Sequence, residues 1–240
     1  MRYAPMMWSL SAEERIFAAL QRTDLLPEQG PIIQRIRRLG IPWVSYEKFV
    51  EKAVTENPAS IDSKFWAIME KEAAAILPHI PAHSRRIVDI GAGLAGVDLV
   101  LSRTISFDQI VLVDRTLKDR KVYYGFEEKA AFYNSLESAR GLLIRYGVRP
   151  ESIQIVDAPG DGVIPCPAGS VDVVISTISW GFHYPVSVYL ESVTRILAEN
   201  GVLIIDLRKG SSGFEDLLPY FHVEIISRDK KSFRVVASKR

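Results

Sequence analysis

A glycine-rich turn set between two apolar runs constrains this chain more than any other feature. Residues 86–96 read Arg-Ile-Val-Asp-Ile-Gly-Ala-Gly-Leu-Ala-Gly, and residues 97–101 are again mostly apolar. The first run is suited to a buried parallel strand and the second to the start of a helix. Glycines permit positive φ and let a ligand approach the backbone, while the N–H groups at a helix start attract anions. The segment therefore predicts a nucleotide-type site in an α/β fold.

An acidic residue lies just before this turn. The spacing of Gly91, Gly93 and Gly96 also fits the general dinucleotide fingerprint. With Asp89 two places before the first glycine, the stretch resembles the first motif of class I S-adenosylmethionine (SAM) methyltransferases, whereas a NAD-binding strand usually has an apolar residue there. The family prefers a third glycine at position 95, where this chain has alanine. The resemblance implies SAM as the cofactor, with Asp89 helping to hold its amino-acid end and the three glycines beside it.

Composition limits the classes of partner. The chain has 240 residues, of which 48% are hydrophobic, and a formal net charge of +1, so it carries no strong overall field for nucleic acid or a membrane surface. The one cysteine, Cys166, fits a reducing compartment. No apolar run approaches the length that spans a bilayer, and the N-terminus has no signal-peptide pattern. We expect a cytoplasmic protein with a small-molecule substrate.

The first third of the chain is predicted to be helical. Ser11 and Glu14 match a capping box, and further amphipathic segments are expected over 31–40, from about 46 to 56 and from about 62 to 77. We expect residues 1–84 to form a helical N-terminal cap and residues 85–240 a cofactor-binding domain. The apolar faces of the cap must pack on that domain or on a second subunit, which makes a homodimer a candidate assembly.

Strands and helices alternate from residue 86 onward, which is typical of a parallel sheet with crossover helices. Helices are expected from about 127 to 146 and from about 185 to 197. The last two strands are separated by a short polar turn and predict an antiparallel hairpin. The seven expected strands cover residues 86–90, 109–114, 152–157, 171–176, 201–206, 223–227 and 232–238. This pattern resembles the Rossmann-like, seven-stranded class I methyltransferase sheet with its terminal antiparallel hairpin.

Several expected site residues stand at the carboxyl ends of strands, where open parallel sheets bind their ligands. The resemblance implies that Asp114 accepts two hydrogen bonds from the ribose hydroxyls of SAM. It also implies an acid or a backbone N–H against adenine after the third strand, a role open to Asp157 with Ala158, or to Asp161. The expected cofactor residues at these strand ends are Asp114, Arg115, Asp157, Ala158 and Ser176.

The segment 176–185, read as a loop after the fourth strand, is expected to meet the methyl acceptor. It lacks the Asn/Asp-Pro-Pro-aromatic motif of adenine and amide N-methyltransferases, and its Phe-His-Tyr-Pro sequence resembles the predicted sugar O-methyltransferases. His183 is the expected general base; the alternative is a buried histidine bonded to backbone. Tyr124 either covers the site or packs the N-terminal helices. The expected substrate-binding residues are Tyr124, Trp180, Tyr184 and Asp206.

These features predict a SAM-dependent methyltransferase that moves a methyl group to a hydroxyl of a small polar acceptor, with a sugar or glycoconjugate as a candidate. No carboxylate cluster is visible after the fourth and fifth strands, so a metal-free reaction is expected. Two alternatives remain at this point. One is a NAD-dependent oxidoreductase that uses the same glycine turn, and the other is a non-catalytic SAM- or nucleotide-binding regulator.

Overall fold

The computed structural model describes residues 8–26, 44–116 and 134–240. The helix expected over 31–40, the first part of the helix expected from 127 and Tyr124 lie outside the described residues. Within the described ranges the α-helices are α1 (Ala12–Gln21), α2 (Val44–Glu56), α3 (Pro58–Ile76), α4 (Gly96–Leu101), α5 (Leu136–Arg145), α6 (Leu190–Ile196) and α7 (Gly213–Leu217). The strands are β1 (Arg86–Ile90), β2 (Gln109–Asp114), β3 (Ile153–Asp157), β4 (Val171–Ser176), β5 (Ser179–Tyr184), β6 (Leu197–Arg208), β7 (Phe221–Arg228) and β8 (Ser232–Lys239).

Seven of these strands form one sheet in the order β3-β2-β1-β4-β6-β8-β7. The pairs from β3 to β6 are parallel, and β8 pairs antiparallel with both β6 and β7. Crossover helices on both faces explain why the central strands are near-continuous apolar runs. The predicted fold class, a Rossmann-like seven-stranded sheet with a terminal antiparallel hairpin, is confirmed.

The sheet separates two apolar layers. On one face, Ile87, Leu112 and Ile204 pack with residues of α1, α3, α4 and α5. On the other face, Val88 and Val113 pack with residues of β5, α6 and α7. Because side chains alternate along a strand, Asp89, Asp114 and Asp206, at or near the ends of β1, β2 and β6, share the face that the N-terminal helices cover.

The N-terminal helices share their core with the sheet. Phe65 and Met69 of α3 are buried in the same cluster as β1 and α4, and α1 packs on both α2 and α3. The expected capping box is present, with Ser11 Oγ accepting from Glu14 N at 3.1 Å. The Glu14 carboxylate also accepts two hydrogen bonds from Arg145 of α5. The apolar faces of α1 and α3 are therefore covered within the chain, while the division at residue 84 stays a prediction.

The segment after β4 differs from the expectation. Residues 176–185 were expected to be a loop, but Ser179–Tyr184 form β5, which runs beside β6 and is not one of the seven paired strands of the sheet. Gly181, at φ +82°, lies in its middle, where a Cβ would come within 2.9 Å of side chains of β6. The following helix begins at Leu190, later than expected, after a 3-10 turn over Val186–Val188.

Candidate cofactor and acceptor site

The turn after β1 needs glycine at its first position. Gly91 has φ +79° and its N–H donates to the carbonyl of Val113 in β2 at 2.7 Å. A Cβ at this position would lie 1.7 Å from Ser179 Oγ, so no side chain fits. Gly93 also has positive φ, and the side chain of Gln21 at the end of α1 lies against it, 2.8 Å from the place of a Cβ. The backbone of the turn therefore lies close to residues of β5 and α1.

The third expected glycine has a packing role. A Cβ on Gly96 would lie 2.7 Å from atoms of Met69 and 2.9 Å from Phe65, so this glycine lets α4 approach α3. Its expected place among the cofactor contacts stays a prediction. Ala95, where the family prefers glycine, is buried and adopts the left-handed conformation with φ +56°. Alanine tolerates this region at a cost of about 1–2 kcal/mol.

Asp114 connects the end of β2 to the glycine turn. Its Oδ2 accepts hydrogen bonds from Gly93 N at 2.8 Å and Asn134 Nδ2 at 2.9 Å, and its Oδ1 accepts from Arg115 N at 2.7 Å. Burial raises its pKa to about 6, and the three donors oppose that rise. Since a carboxylate offers about four acceptor positions, one position on Oδ1 remains for a further donor, and the two ribose bonds expected of Asp114 stay a prediction.

Asp89 faces a second acid that was not singled out in the sequence. Asp98 on α4 has no exposed surface, and its carboxyl group interacts with that of Asp89. Asp89 Oδ1 and both Asp98 carboxylate oxygens are buried, and apart from the contact between these two carboxyl groups no other described residue donates a hydrogen bond to them. Burial raises the pKa of both groups, that of Asp98 to about 6, and the neighbouring carboxyl adds to the rise at Asp89. We infer that the pair holds a shared proton near neutral pH.

This pair gives a prediction about stability. The pKa of Asp98 lies near 6 in the folded protein and near 3.8 in the unfolded chain, so the folded state binds more protons between those pH values. The contribution of Asp98 to the free energy of unfolding therefore falls as pH rises from about 4 to about 6. Asp98→Asn removes the buried charge and supplies an N–H donor to Asp89. We expect the variant to gain about 1–3 kcal/mol over wild type at pH 7.5 and much less at pH 4.5, measured by urea unfolding. Glu199→Gln, at an exposed position, is the control. An Asp98→Asn protein less stable than wild type at pH 7.5 would contradict the shared-proton interpretation.

The end of β3 lies beside the end of β2. Asp157 pairs in register with Asp114, its Oδ1 accepts from Thr116 N at 3.1 Å, and its side chain is exposed. Ala158 N donates to the carbonyl of Asp114 at 2.8 Å, so this N–H is already used by the sheet edge. Arg115 is exposed directly after β2. The structure thus brings the expected adenine and ribose residues to one edge, with the Asp157 carboxylate the more accessible acceptor.

Two residues expected in the site belong to the core. Ser176 has no exposed surface; its Oγ donates to the carbonyl of Ile90 at 2.7 Å and accepts from Trp180 N at 2.9 Å. Trp180 is also fully buried, and its Nε1 donates to the carbonyl of Val186 at 3.0 Å. The cofactor role expected for Ser176 and the substrate role expected for Trp180 disagree with this burial. Both instead fix β5 against the end of β1.

Tyr184 and His183 occupy the end of β5. The Tyr184 hydroxyl lies 3.3 Å from Ser179 Oγ, and burial, with a contribution from Asp114, raises its pKa, so the phenol stays protonated. His183 keeps an exposed surface, with its ring edge-on to Phe182 at 5.0 Å. Desolvation by the surrounding atoms, and then the charge of Arg208, lower its pKa. The imidazole is therefore neutral at pH 7 and able to accept a proton.

Asp206 is engaged inside the protein. Its carboxylate accepts two hydrogen bonds from Arg234, at 2.8 Å each, and Arg234 also pairs with Glu72 of α3. Its Oδ2 accepts a third bond from Ile178 N at 3.1 Å, and Ile178 has φ +51°, a strained value for a β-branched residue. In this arrangement Asp206 holds the β4–β5 turn, and the substrate role expected for it stays a prediction.

A pocket of about 300 Å³ opens where β5 and β6 end. Tyr184 and Arg208 line it, together with the segment that leads into α7. Arg208 is held over the ring of Phe182, with its guanidinium carbon 5.5 Å from the ring centroid. The complete lining is Gly181, Tyr184, Pro185, Val186, Arg208, Lys209, Gly210, Ser211, Ser212 and Gly213. His183 is a neighbour of this lining and not a member of it.

Sequence reasoning missed several contributors to the site. Asp98 could have been found from the sequence, because it is an acid within the apolar run that starts a helix. An acid at such a position is rarely buried unless it has a partner. Gln21, Asn134 and Ser179 carry no such sequence signal, since each reaches the turn or Asp114 only through the tertiary fold.

Across residues 8–26, 44–116 and 134–240, acids, histidines and Cys166 nowhere assemble into a metal-binding group of three or more. Those same stretches contain no helix of the length and apolarity that crossing a membrane requires.

Comparisons with known proteins show which solved structures are similar to this fold. No protein-family model matches the chain, and no curated protein is similar to it in sequence. Among solved structures, it is similar to a protein from Methanococcus maripaludis assigned to the SAM-dependent methyltransferases, at 18% identity over 72% of this chain and 86% of that one, with a TM-score of 0.52. The precorrin-6y C5,15-methyltransferase of Geobacter metallireducens gives 19% identity, 70% and 88% coverage, and a TM-score of 0.51.

A third similar structure comes from Nostoc punctiforme and is assigned as an O-methyltransferase, at 14% identity over 72% of this chain and 56% of that one, with a TM-score of 0.52. At these identities the likeness concerns the fold. Together with the strand order, it shows that this chain has the class I methyltransferase fold.

Proposed function

We propose that the protein is a SAM-dependent methyltransferase that transfers a methyl group to a hydroxyl of a small polar acceptor, for which a sugar or glycoconjugate is a candidate. The observation that carries the proposal is the hydrogen bond from Gly93 N to Asp114, which joins the strand-end acid to the positive-φ turn. The acid Asp89 before the turn favours SAM over NAD, and so does the terminal antiparallel hairpin.

The residues present fit this cofactor. With one shared proton, the buried Asp89–Asp98 pair carries one negative charge beside the glycine turn, and an ammonium group at the amino-acid end of SAM is a suitable partner for that charge. Asp114 would take one ribose hydroxyl on Oδ1, and Asp157, exposed beside it, is an acceptor for the adenine amino group. When bound, the sulfonium of SAM supplies a methyl group that is already activated for transfer.

The protein would align the acceptor, exclude water and take up one proton. Methyl transfer from bound SAM to a hydroxyl would leave the proton of that hydroxyl to be taken up by the protein. The hydroxyl proton passes to the neutral imidazole of His183. Tyr184, protonated and next to both Ser179 and the pocket, is suited to orient the acceptor by a hydrogen bond.

The test is the loss of cofactor affinity on Asp114→Ala. This change removes the charged acceptor for ribose and the bond to Gly93, and a bond to a charged group is worth about 1.5–3 kcal/mol. We expect the affinity for S-adenosylhomocysteine to fall about 10–100-fold in calorimetry on folded protein. Glu199→Ala, which removes an exposed acid near the start of β6, is the matched control and should bind normally.

Unchanged affinity in Asp114→Ala would refute the proposed binding mode. Turnover is measured separately, with radiolabelled SAM and fractionated small-molecule extracts. Normal cofactor binding without transfer to any fraction would instead favour a non-catalytic SAM-binding regulator.

A further inference from the structure

Asn134 carries a buried polar atom without a partner at the edge of the proposed cofactor site. The residue is only 2% exposed, and its Nδ2 donates to Asp114 Oδ2 at 2.9 Å. Its Oδ1 is also buried, and no described residue donates a hydrogen bond to it. A buried acceptor without a donor is costly in a folded protein and indicates a place for water or for a ligand group. Asn134 Oδ1 is therefore an acceptor available to a bound molecule.

The orientation of the Asn134 side chain follows from its partner. Asp114 Oδ2 also accepts from Gly93 N at 2.8 Å, and an ionised carboxylate has no hydrogen to donate. Only the NH₂ side of the carboxamide can face such an oxygen, so the open acceptor is the carboxamide oxygen. Because this oxygen and the nitrogen are bonded to the same carbon, Asn134 Oδ1 lies beside the Asp114 carboxylate.

The backbone at Asn134 is fixed by the start of α5. Ser135 is the N-cap of that helix, and its Oγ accepts from Ser138 N at 3.2 Å. Ala139, which has no exposed surface, donates its N–H to the carbonyl of Ser135 at 3.0 Å. These contacts lie within the chain, so the fold itself positions the Asn134 side chain for a ligand.

Asp114 and Asn134 together offer two neighbouring open acceptors. Asp114 Oδ2 is occupied by Gly93 N and Asn134 Nδ2, while Asp114 Oδ1 accepts from Arg115 N at 2.7 Å. One acceptor position remains on Asp114 Oδ1, and the lone pairs of Asn134 Oδ1 receive no bond from the described residues. Two adjacent acceptors fit a ligand with two adjacent hydroxyls, as in the cis-diol of a ribose.

We infer that Asn134 is a further cofactor-binding residue, whose Oδ1 accepts one hydroxyl of the ribose cis-diol while Asp114 Oδ1 accepts the other. The site then selects nucleosides in which both the 2′ and the 3′ hydroxyl are free. This inference rests on the proposed function for the rest of the cofactor. The recognition of the diol does not depend on the methyl transfer, because the same diol occurs in other adenosine compounds.

The experiment measures how the ribose hydroxyls and Asn134 depend on each other. The probes are S-adenosylhomocysteine and its 2′-deoxy and 3′-deoxy analogues, titrated by calorimetry into wild type and Asn134→Ala. We expect wild type to bind each deoxy analogue about 5–50-fold more weakly than the parent compound, because each lost hydroxyl leaves a desolvated acceptor without its donor. The affinity of Asn134→Ala for the parent compound should fall by a similar factor.

The decisive result is the pattern of the two deoxy penalties in Asn134→Ala. One penalty should disappear, since the variant has no acceptor for that hydroxyl, and the other, which comes from the bond to Asp114, should persist. A merely structural role cannot give this pattern, because a loosened site weakens all three ligands alike. Asn200→Ala is the matched control, since Asn200 is exposed near the start of β6 and its loss should leave all three affinities unchanged.

The inference is overturned if wild type binds S-adenosylhomocysteine and either deoxy analogue equally well, or if both penalties remain in Asn134→Ala. Asn134→Ser, which keeps a hydroxyl donor but lacks the carboxamide oxygen, repeats the comparison if Asn134→Ala fails to fold. Either of the first two results, with normal binding of S-adenosylhomocysteine, refutes this inference alone. Binding of NADH in place of S-adenosylhomocysteine refutes the proposed function, and weaker binding of NADH by Asn134→Ala then leaves the diol site standing.

Discussion

Replacing His183 with alanine is expected to lower kcat by about 10²–10⁴-fold, the usual range for loss of a general base, with little change in affinity for S-adenosylhomocysteine. The reason is that an alcohol is too weak an acid to ionise unaided, and the imidazole at the end of β5 stays neutral at pH 7. Its desolvation and the nearby Arg208 lower its pKa below the ordinary 6.5, so the base form is available across the physiological range. The measurement is steady-state turnover with the identified acceptor.

The pH profile separates a base from a structural residue. The wild-type rate should rise with pH through an apparent pKa below 6.5 and then level off, because His183 must lose its proton to act. The pKa values of Asp98 and Asp114 are also raised to about 6, so the titration of these carboxyl groups falls in the same pH range. The assignment therefore requires that His183→Ala lose the acidic limb while Asp98→Asn keeps it. His222→Ala, at an exposed position on β7, should behave as wild type. Near-normal turnover in His183→Ala would place the base elsewhere.

Arg234→Ala is expected to destabilise the protein by about 3–5 kcal/mol, the range for removing one partner of a buried ion pair. Arg234 and Asp206 have side chains only 7% and 4% exposed, and without Arg234 the Asp206 carboxylate stays buried with Ile178 N as its one remaining donor among the described residues. The free energy of unfolding from urea titration is the measurement. Because Arg234 also contacts Glu72 of α3, the loss loosens the N-terminal helices as well as the β4–β5 turn.

A surface ion pair of the same length provides the control. Arg85 and Asp108 are also 2.8 Å apart, but their side chains are 75% and 56% exposed, so Arg85→Ala should cost less than about 1 kcal/mol. Similar effects of Arg85→Ala and Arg234→Ala would show that burial does not decide the strength of the inner pair.

The sheet could be predicted from sequence because its signals are local. Each central strand is an apolar, β-branched run ended by an acid, serine or glycine, as in residues 109–114, and the observed strands agree with the expected ones within a few residues. The glycine turn was predictable for the same reason, since Gly91 and Gly93 occupy backbone positions with positive φ. Only position 95 departs from the family pattern, since Ala95 adopts a positive φ where the family prefers glycine.

The side-chain arrangement could not be predicted because it depends on contacts that are distant in the chain. Asp206 has the right place for a substrate ligand, yet it is engaged by Arg234, and Arg234 reaches Glu72 across 162 positions. Trp180 and Ser176 stand in a segment with the composition of a site, but Ser176 Oγ takes the Trp180 N–H and turns the segment into a buried strand. The pocket itself joins β5 to the start of α7, a proximity that no local pattern encodes.

The central claim, that the Gly91–Gly93 turn and Asp114 bind SAM, is tested most directly by calorimetric titration of the wild-type protein with S-adenosylhomocysteine and, separately, with NADH. The account predicts saturable one-to-one binding of S-adenosylhomocysteine, with a matching rise in Tm as expected by mass action, and no binding of NADH. Saturable binding of NADH with none of S-adenosylhomocysteine would contradict it and identify the turn as a dinucleotide site.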